Sequence, residues 1–112
     1  AHGTASQAGD IAELEAVDSV FNPSAKQLLI QSTKGLLGHT LWAAGMVEVI
    51  SLLVQMHGGF IHPNANLNLP IRDDLQFMGA VTKQQSFHVA MSNSFGFGGI
   101  NTSVIVSRNG KG

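Results

Sequence analysis

The scarcity of charge along this chain limits what it can fold into by itself. Glu48 is the only charged residue in the stretch Gly35–Ile71, and the stretch Gln84–Ser107 has none. Charged residues make up only 12% of the sequence, although Lys and Glu normally coat a small soluble domain. A domain of this size leaves roughly 40% of its unfolded surface exposed. We therefore expect other protein, from the same fold or from a partner chain, to cover much of this surface.

The composition also excludes several classes of function. The net charge is -1, so a strongly basic nucleic-acid surface is not expected. The sequence has no cysteine, which removes disulfides, thiolate zinc ligands and a cysteine nucleophile from this chain. It shows neither a histidine spacing typical of a metal site nor the G-x-S-x-G motif of serine hydrolases.

Two helices are predicted from the spacing of apolar residues. The first, Asp10–Phe21, has an apolar face and a charged face, and Asp10 followed three residues later by Glu13 resembles a capping box. The second, Thr40–Met56, is apolar on nearly every face, so we expect it to be buried on all sides. A membrane span over Leu36–Val54 is disfavoured, because a glutamate in mid-span is costly in lipid.

Three strands are predicted from short apolar or alternating stretches, namely Gln27–Ser32, Ser86–Ser92 and Thr102–Ser107. The segment Asn93–Asn101 between the last two is too long and too rich in glycine for a minimal hairpin turn. Helices and strands alternate before a closing β-ribbon, so the predicted fold class is α/β.

The first residues carry no recognisable targeting signal. Ala1–Thr4 lacks the basic start and the apolar stretch of a signal peptide. A first residue other than Met suggests an internal or processed start. We expect a cytoplasmic location without membrane contact.

Three motifs resemble those of one enzyme family. They are AHGTASQAGD at Ala1–Asp10, STKGLLGHTLWAAG at Ser32–Gly45 and SNSFGFGGIN at Ser92–Asn101. In this order and spacing they resemble the β-ketoacyl synthases, the condensing enzymes of fatty-acid and polyketide synthesis. The resemblance implies a thiolase-like fold of two similar α/β halves, a mixed sheet with buried helices that packs as a dimer. Residues 1–112 correspond to its C-terminal portion, incomplete without an upstream segment or partner subunit that carries the nucleophilic Cys.

The resemblance implies that His2 and His39 are the catalytic histidines. Decarboxylation of a malonyl thioester leaves charge on an enolate oxygen, and preorganised N–H donors stabilise such charge. Two neutral imidazoles meet that need, and a helix dipole would keep His39 neutral at the start of the second helix. Lys34 is implied to support the site through a buried carboxylate, for which the matching residue is Glu13.

The resemblance also implies a set of substrate-binding residues, which are Thr4, Ser6, Phe95, Gly96, Phe97 and Gly98. Thr4 and Ser6 match hydroxyls that bind the phosphopantetheine arm, although small polar residues are also typical of turns. The N–H of Phe97 is implied to help form an oxyanion hole, and its side chain to gate the acyl pocket. Glycines in this loop permit close approach of a ligand.

The implied reaction joins an acyl thioester to malonyl-acyl carrier protein and gives 3-oxoacyl-acyl carrier protein. It needs no cofactor in this chain, because the phosphopantetheine arrives on the carrier protein, which is the expected partner. Two questions remain open. The chain is alternatively a non-catalytic partner subunit resembling a chain-length factor, and Glu48, with Ser92 and Asn93, is either a buried structural group or part of a monovalent-cation site.

Overall fold

The computed structural model of the chain describes residues 1–109 and contains three α-helices and six strands within them. The helices are α1 (Gln7–Phe21), α2 (Lys34–Leu37) and α3 (Ala44–Gly58). The strands are β1 (Leu29–Ile30), β2 (Phe60–Ile61), β3 (Gln76–Phe77), β4 (Lys83–Gln84), β5 (Val89–Gly96) and β6 (Ile100–Ser107). The predicted mixture of helices and strands with a closing β-ribbon is confirmed, but the predicted alternation is wrong beyond β1, because α2 and α3 follow each other and β2, β3 and β4 then precede the ribbon without a helix between them.

Helix α1 begins three residues before the predicted start. The carbonyl oxygen of Ser6 accepts the N–H of Asp10 at 2.9 Å, so the helix is already formed where the capping box was expected. Glu13 consequently lies in the second turn and is buried. The capping-box prediction is therefore wrong, and the Glu13 carboxylate is available for hydrogen bonds inside the protein. The predicted end at Phe21 is confirmed, before a proline that cannot continue a helix.

Helix α3 begins four residues later than predicted, because a short 3-10 turn at Leu41–Ala43 precedes it. It ends at Gly59, whose φ of +67° and N–H bond to the carbonyl oxygen of Gln55 form a left-handed cap. Leu41–Gly58 is long and apolar enough to cross a membrane by length and composition alone. Glu48 lies in the middle of this stretch and is ion-paired with Lys34.

The expectation that the second helix is buried on all sides is wrong for this chain by itself. One face of α3 is exposed, and its large apolar residues there are Met46, Ile50, Leu53 and Val54. Trp42, just before the helix, is fully exposed. The opposite face carries buried Ala44, Glu48, Gln55 and Met56. The apolar residues on the exposed face of α3 therefore indicate a surface that residues 1–109 do not themselves cover.

Strands β5 and β6 form an antiparallel hairpin whose register pairs Val89 with Ser107 and Gly96 with Ile100. Only three residues connect them, and two of these, Gly98 and Gly99, have φ of +84° and +80°. The connection is thus one residue longer than a minimal two-residue turn, and the predicted strand ends at Ser92 and Thr102 are wrong because both strands extend into the glycine-rich segment. Glycine adopts positive φ without steric cost, so the ladder continues through a segment whose composition suggested a loop.

The strands form three separate two-stranded sheets. β1 and β3 pair in parallel, whereas β2 pairs with β4 and β5 pairs with β6 in antiparallel fashion. The main apolar cluster consists of Leu14, Ala25 and Leu75, with Phe21, Ile30 and Phe77 packed against it. A cavity of about 320 Å³ is lined by residues around β1 and in the first part of β5.

Candidate active site

His2 and His39, both predicted to be catalytic, lie side by side. Their ring centroids are 5.7 Å apart and the rings are nearly perpendicular, at 88°. The ring of Phe95 packs against His2 at a centroid distance of 5.3 Å. The start of the chain, the loop before α3 and strand β5 each contribute one of these rings, so the fold brings the three sequence motifs together.

Lys34 connects the histidine pair to a buried carboxylate. Its ammonium group donates a hydrogen bond to Oε1 of Glu48, and lies 3.3 Å from Nδ1 of His2. The side chains of Lys34 and Glu48 are only 6% and 7% exposed. The inferred contact between Lys34 and Glu13 is wrong, because the carboxylate that pairs with Lys34 is Glu48. The α2 turn and α3 meet through this pair.

The hydrogen bonds to both histidines determine where the neutral rings carry their proton. An ammonium group can only donate, so Nδ1 of His2 accepts from Lys34. Nδ1 of His39 accepts the backbone N–H of Leu41 at 3.0 Å. In the neutral form each ring therefore carries its proton on Nε2, and two N–H donors are available for a ligand oxygen.

The environment of His2 favours that neutral form. Burial lowers the pKa of His2 below its ordinary value, and the positive charge of Lys34 lowers this pKa further. Protonation would also place an N–H opposite the Lys34 ammonium. His39 does not lie in the first turn of α3, since it precedes the 3-10 turn, so the prediction that it stands at the start of the second helix is wrong.

Glu13 holds the backbone on which His2 stands. Its two carboxylate oxygens accept the N–H groups of His2 at 2.8 Å and of Gly3 at 2.9 Å. The side-chain amide of Asn93 donates to the same carboxylate at 3.2 Å, and Ser103 donates to Asn93 at 2.8 Å. Glu13 therefore acts on His2 through the main chain, a role that no sequence motif indicated.

The predicted phosphopantetheine-binding hydroxyls lie together at the surface next to the histidines. Thr4 Oγ1 and Ser6 Oγ are 3.1 Å apart and exposed. Ala5 between them has a φ of +61°, which is unusual for a residue other than glycine and is typical of strained functional loops. A cavity of about 390 Å³ beside them is lined by Thr4, Lys34 and His39 among others.

The glycine-rich segment Phe95–Gly98 lies partly in strand β5 and partly in the hairpin turn. Phe95 lies in β5 and contacts His2, and Gly96 ends that strand. Phe97 is at the tip of the hairpin turn with a fully exposed side chain. Gly98 follows it with positive φ. In residues 1–109 the exposed ring of Phe97 is thus available for a surface outside this chain.

The geometry bears on whether Glu48 is part of a monovalent-cation site. Glu48, Ser92 and Asn93 line the same cavity, but the Glu48 carboxylate is already ion-paired with Lys34. Within the described part of the chain, no three His, Asp or Glu side chains are grouped so that they could hold a metal ion. Sequence reasoning missed the pairing of Lys34 with Glu48, since their 14-residue separation signals nothing without the fold.

The chain matches one protein family and several known proteins. A protein-family model described as "Beta-ketoacyl synthase, C-terminal domain" matches residues 1–68. The chain is 40% identical, over 94% of its length, to the chloroplastic 3-oxoacyl-[acyl-carrier-protein] synthase II of Arabidopsis thaliana, of which it covers 20%. It is 41% identical, over 94% of its length, to the polyketide biosynthesis malonyl-ACP decarboxylase of Bacillus subtilis, of which it covers 25%.

A solved structure gives the same result. The chain superposes with a TM-score of 0.88 and 30% identity on a chain in a complex described as a type II PKS acyl-carrier protein with its ketosynthase bound to the hexaketide. This match covers 95% of the chain and 26% of the solved one. The chain therefore spans about a fifth to a quarter of the length of the relatives that it matches. It has the thiolase-like fold of the ketosynthases, and it belongs to the β-ketoacyl synthase family as part of the C-terminal domain.

Proposed function

We propose that this chain supplies the decarboxylating half of a 3-oxoacyl-acyl-carrier-protein synthase. The observation that carries the proposal is the pair of imidazoles, His2 and His39, in each of which Nδ1 accepts from a donor while Nε2 has no hydrogen-bond partner within residues 1–109. Two such donors fit a single developing oxyanion. His2 is furthermore kept neutral near pH 7 by burial and by Lys34.

The chemistry follows from these donors. In malonyl-acyl carrier protein the bond between the carboxylate and the α-carbon breaks, carbon dioxide leaves, and the electron pair moves into the thioester enolate. The Nε2–H groups of His2 and His39 stabilise the enolate oxygen as its charge develops. The α-carbon then attacks an acyl thioester on a Cys, the new carbon–carbon bond forms, and the Cys thiolate leaves. The product is a 3-oxoacyl thioester two carbons longer.

The Cys belongs, in this proposal, to an N-terminal segment or subunit that completes the domain. The exposed apolar face of α3 and the cavity between β1 and β5 support this, because both leave apolar surface without cover. Assembly as a dimer is also proposed. The location remains proposed as cytoplasmic, and the chain itself is proposed to need no cofactor.

The acyl carrier protein is the proposed partner of the assembled enzyme. Thr4 and Ser6 would bind its phosphopantetheine arm, and the cavity beside them supports this placement. Phe97 would gate the acyl pocket and offer its N–H to the oxyanion hole, with Phe95, Gly96 and Gly98 shaping the approach. The ketosynthase found by structural comparison is bound to an acyl carrier protein, which supports the same partner here.

Two other functions are distinguishable from this one. A non-catalytic subunit resembling a chain-length factor has no need for both histidines and Lys34, and their joint placement argues against it. A malonyl decarboxylase without condensation is supported by the Bacillus subtilis relative. It differs from the proposed synthase only in the nucleophile, so the test must measure acyl transfer and carbon dioxide release separately.

The experiment uses the assembled enzyme with His2→Ala and His39→Ala, and His88→Ala as a matched control because His88 is exposed. Loss of one oxyanion donor typically costs about 100- to 1000-fold. We expect that loss in malonyl decarboxylation for His2 and His39, with acyl transfer to the nucleophile at least partly retained. Near-normal carbon dioxide release by both variants would refute the proposal. Carbon dioxide release without any acyl transfer in the unaltered enzyme would identify the decarboxylase instead.

A further inference from the structure

The Ser32 side chain is hydrogen-bonded to the backbone of His2 and of Gly3. Its hydroxyl group donates toward the carbonyl oxygens of His2 at 3.3 Å and of Gly3 at 3.1 Å. A Cβ built on Gly3 would lie only 2.9 Å from Cβ of Ser32, so the two residues are in direct contact. The single O–H of Ser32 is shared between these two carbonyl groups, and Glu13 accepts both N–H groups, so the two side chains together contact all four backbone polar groups of His2 and Gly3.

Asn64 in turn fixes Ser32. Its side-chain oxygen accepts the N–H of Ser32 at 3.0 Å, and its amide nitrogen donates to the carbonyl oxygen of Ile30 at 3.2 Å. The side chain therefore bonds to residues 30 and 32 as a neighbouring strand would, just where β1 ends. The backbone N–H of Asn64 donates to the carbonyl oxygen of Gly79 at 3.0 Å, which fixes the main chain that carries the Asn64 side chain.

We propose that Ser32 and Asn64 are positioning residues that orient His2 for the decarboxylation. The catalytic part of this inference rests on the proposed function, whereas the mechanical part does not. Neither residue needs to touch the substrate. Asn64 sets the main chain at Ser32, Ser32 sets the main chain at His2, and the imidazole follows, since small errors in the position of a catalytic donor are costly in rate.

The expected size of the effect follows from the loss of one neutral hydrogen bond, which is worth about a fivefold change in an equilibrium. Ser32→Ala should lower kcat for malonyl decarboxylation about fivefold and leave KM within about twofold. Asn64→Ala removes two side-chain hydrogen bonds, but the carbonyl oxygen of Ile30 keeps the N–H of Met78 at 2.9 Å. Only the lost bond to Ser32 should therefore act on His2, and the expected change is of the same size. Because Asn64 acts through Ser32, the double variant should lose far less than the product of the two single losses.

The experiment compares these three variants of the assembled enzyme with Ser24→Ala and Asn68→Ala. Ser24 and Asn68 are exposed residues of the same types, so they control for the substitution itself. One readout is kcat and KM for carbon dioxide release from malonyl-acyl carrier protein. The second is hydrogen exchange of the peptide that contains the His2 and Gly3 amides, which we expect to quicken about fivefold in Ser32→Ala and Asn64→Ala only.

The outcomes separate this inference from the proposed function. If the unaltered enzyme releases no carbon dioxide but the exchange pattern is as expected, the proposed function fails and the positioning of His2 by Ser32 stands. If the unaltered enzyme is active and the variants keep its kcat, the inference is overturned. Unchanged exchange in Ser32→Ala overturns it as well. Should Asn64→Ala fail to fold, Ser32→Ala alone decides, because it removes only a hydroxyl group.

Discussion

The ion pair of Lys34 and Glu48 should give a characteristic stability pattern when its partners are removed singly and together. Both side chains are more than nine-tenths buried, and covering of the chain by other protein would only increase that burial. Removing one member leaves an uncompensated buried charge, which costs about 3–5 kcal/mol. Lys34→Met and Glu48→Leu should each destabilise the enzyme by that amount.

The double variant should recover most of this loss. Glu48 Oε2 has no hydrogen-bond partner within the described residues, so the pair does not fully offset the cost of burying its charges. Apolar side chains of similar volume avoid that cost, and replacement of both members of a buried pair is often neutral. The double variant should therefore lie within about 1 kcal/mol of the unaltered enzyme, a coupling of several kcal/mol.

Urea unfolding of the assembled enzyme measures these differences, with unchanged m values as the check that the same transition is followed. Lys26→Met is the matched control, since Lys26 is exposed and surface changes usually stay within about 0.5 kcal/mol. Single variants that lose less than about 1 kcal/mol would mean that the pair behaves as a solvated surface pair. A double variant no more stable than either single one would equally refute the reasoning.

Three further predictions concern the site. The fold lowers the pKa of His2. Neutral His2 therefore contributes stability at pH values above its ordinary pKa near 6.5, and this contribution is lost as the pH falls below that value. Lys34→Met removes a charge that lowers this pKa, so the acid limb of a kcat–pH profile for decarboxylation should move to higher pH. Glu13→Gln leaves the N–H of His2 or of Gly3 without an acceptor, which should cost about 1–3 kcal/mol in urea unfolding; an unchanged midpoint would contradict the contact. Phe97→Ala should alter acylation rates across short and long acyl thioesters while decarboxylation changes less, and the opposite result would make Phe97 part of the chemistry.

Much of the fold was predictable because its signals are local. The end of α1 before Pro23 and the ending of α3 at a glycine pair depend on residues next to the boundary. The closing β-ribbon was predicted, but the extension of its strands beyond Ser92 and before Thr102 was not. Positive φ at Gly98 and Gly99 shortens the turn to three residues, and only the pairing with β6 reveals that Ser94 and Phe95 are strand residues.

The sequence predicted which residues lie at the site, but not which of them contact each other. The three motifs indicated His2, His39 and Lys34, and the fold brings them together. The acceptor of the Lys34 proton depends on how α2 meets α3, which no spacing encodes. Glu13 was correctly expected to be a buried carboxylate, but it was also assigned to a helix cap because the start of α1 was placed three residues late.

The hydrogen bond from Asn93 to Glu13 has a consequence for synthesis of the chain. The two residues are 80 positions apart. At a translation rate of about 5–20 residues per second, Asn93 is added roughly 4–16 s after Glu13. During that interval the carboxylate has only its neighbours and water as partners. Closing a loop of this length costs about 4 kcal/mol of chain entropy, so the support beneath His2 is completed only once the hairpin has emerged from the ribosome and docked.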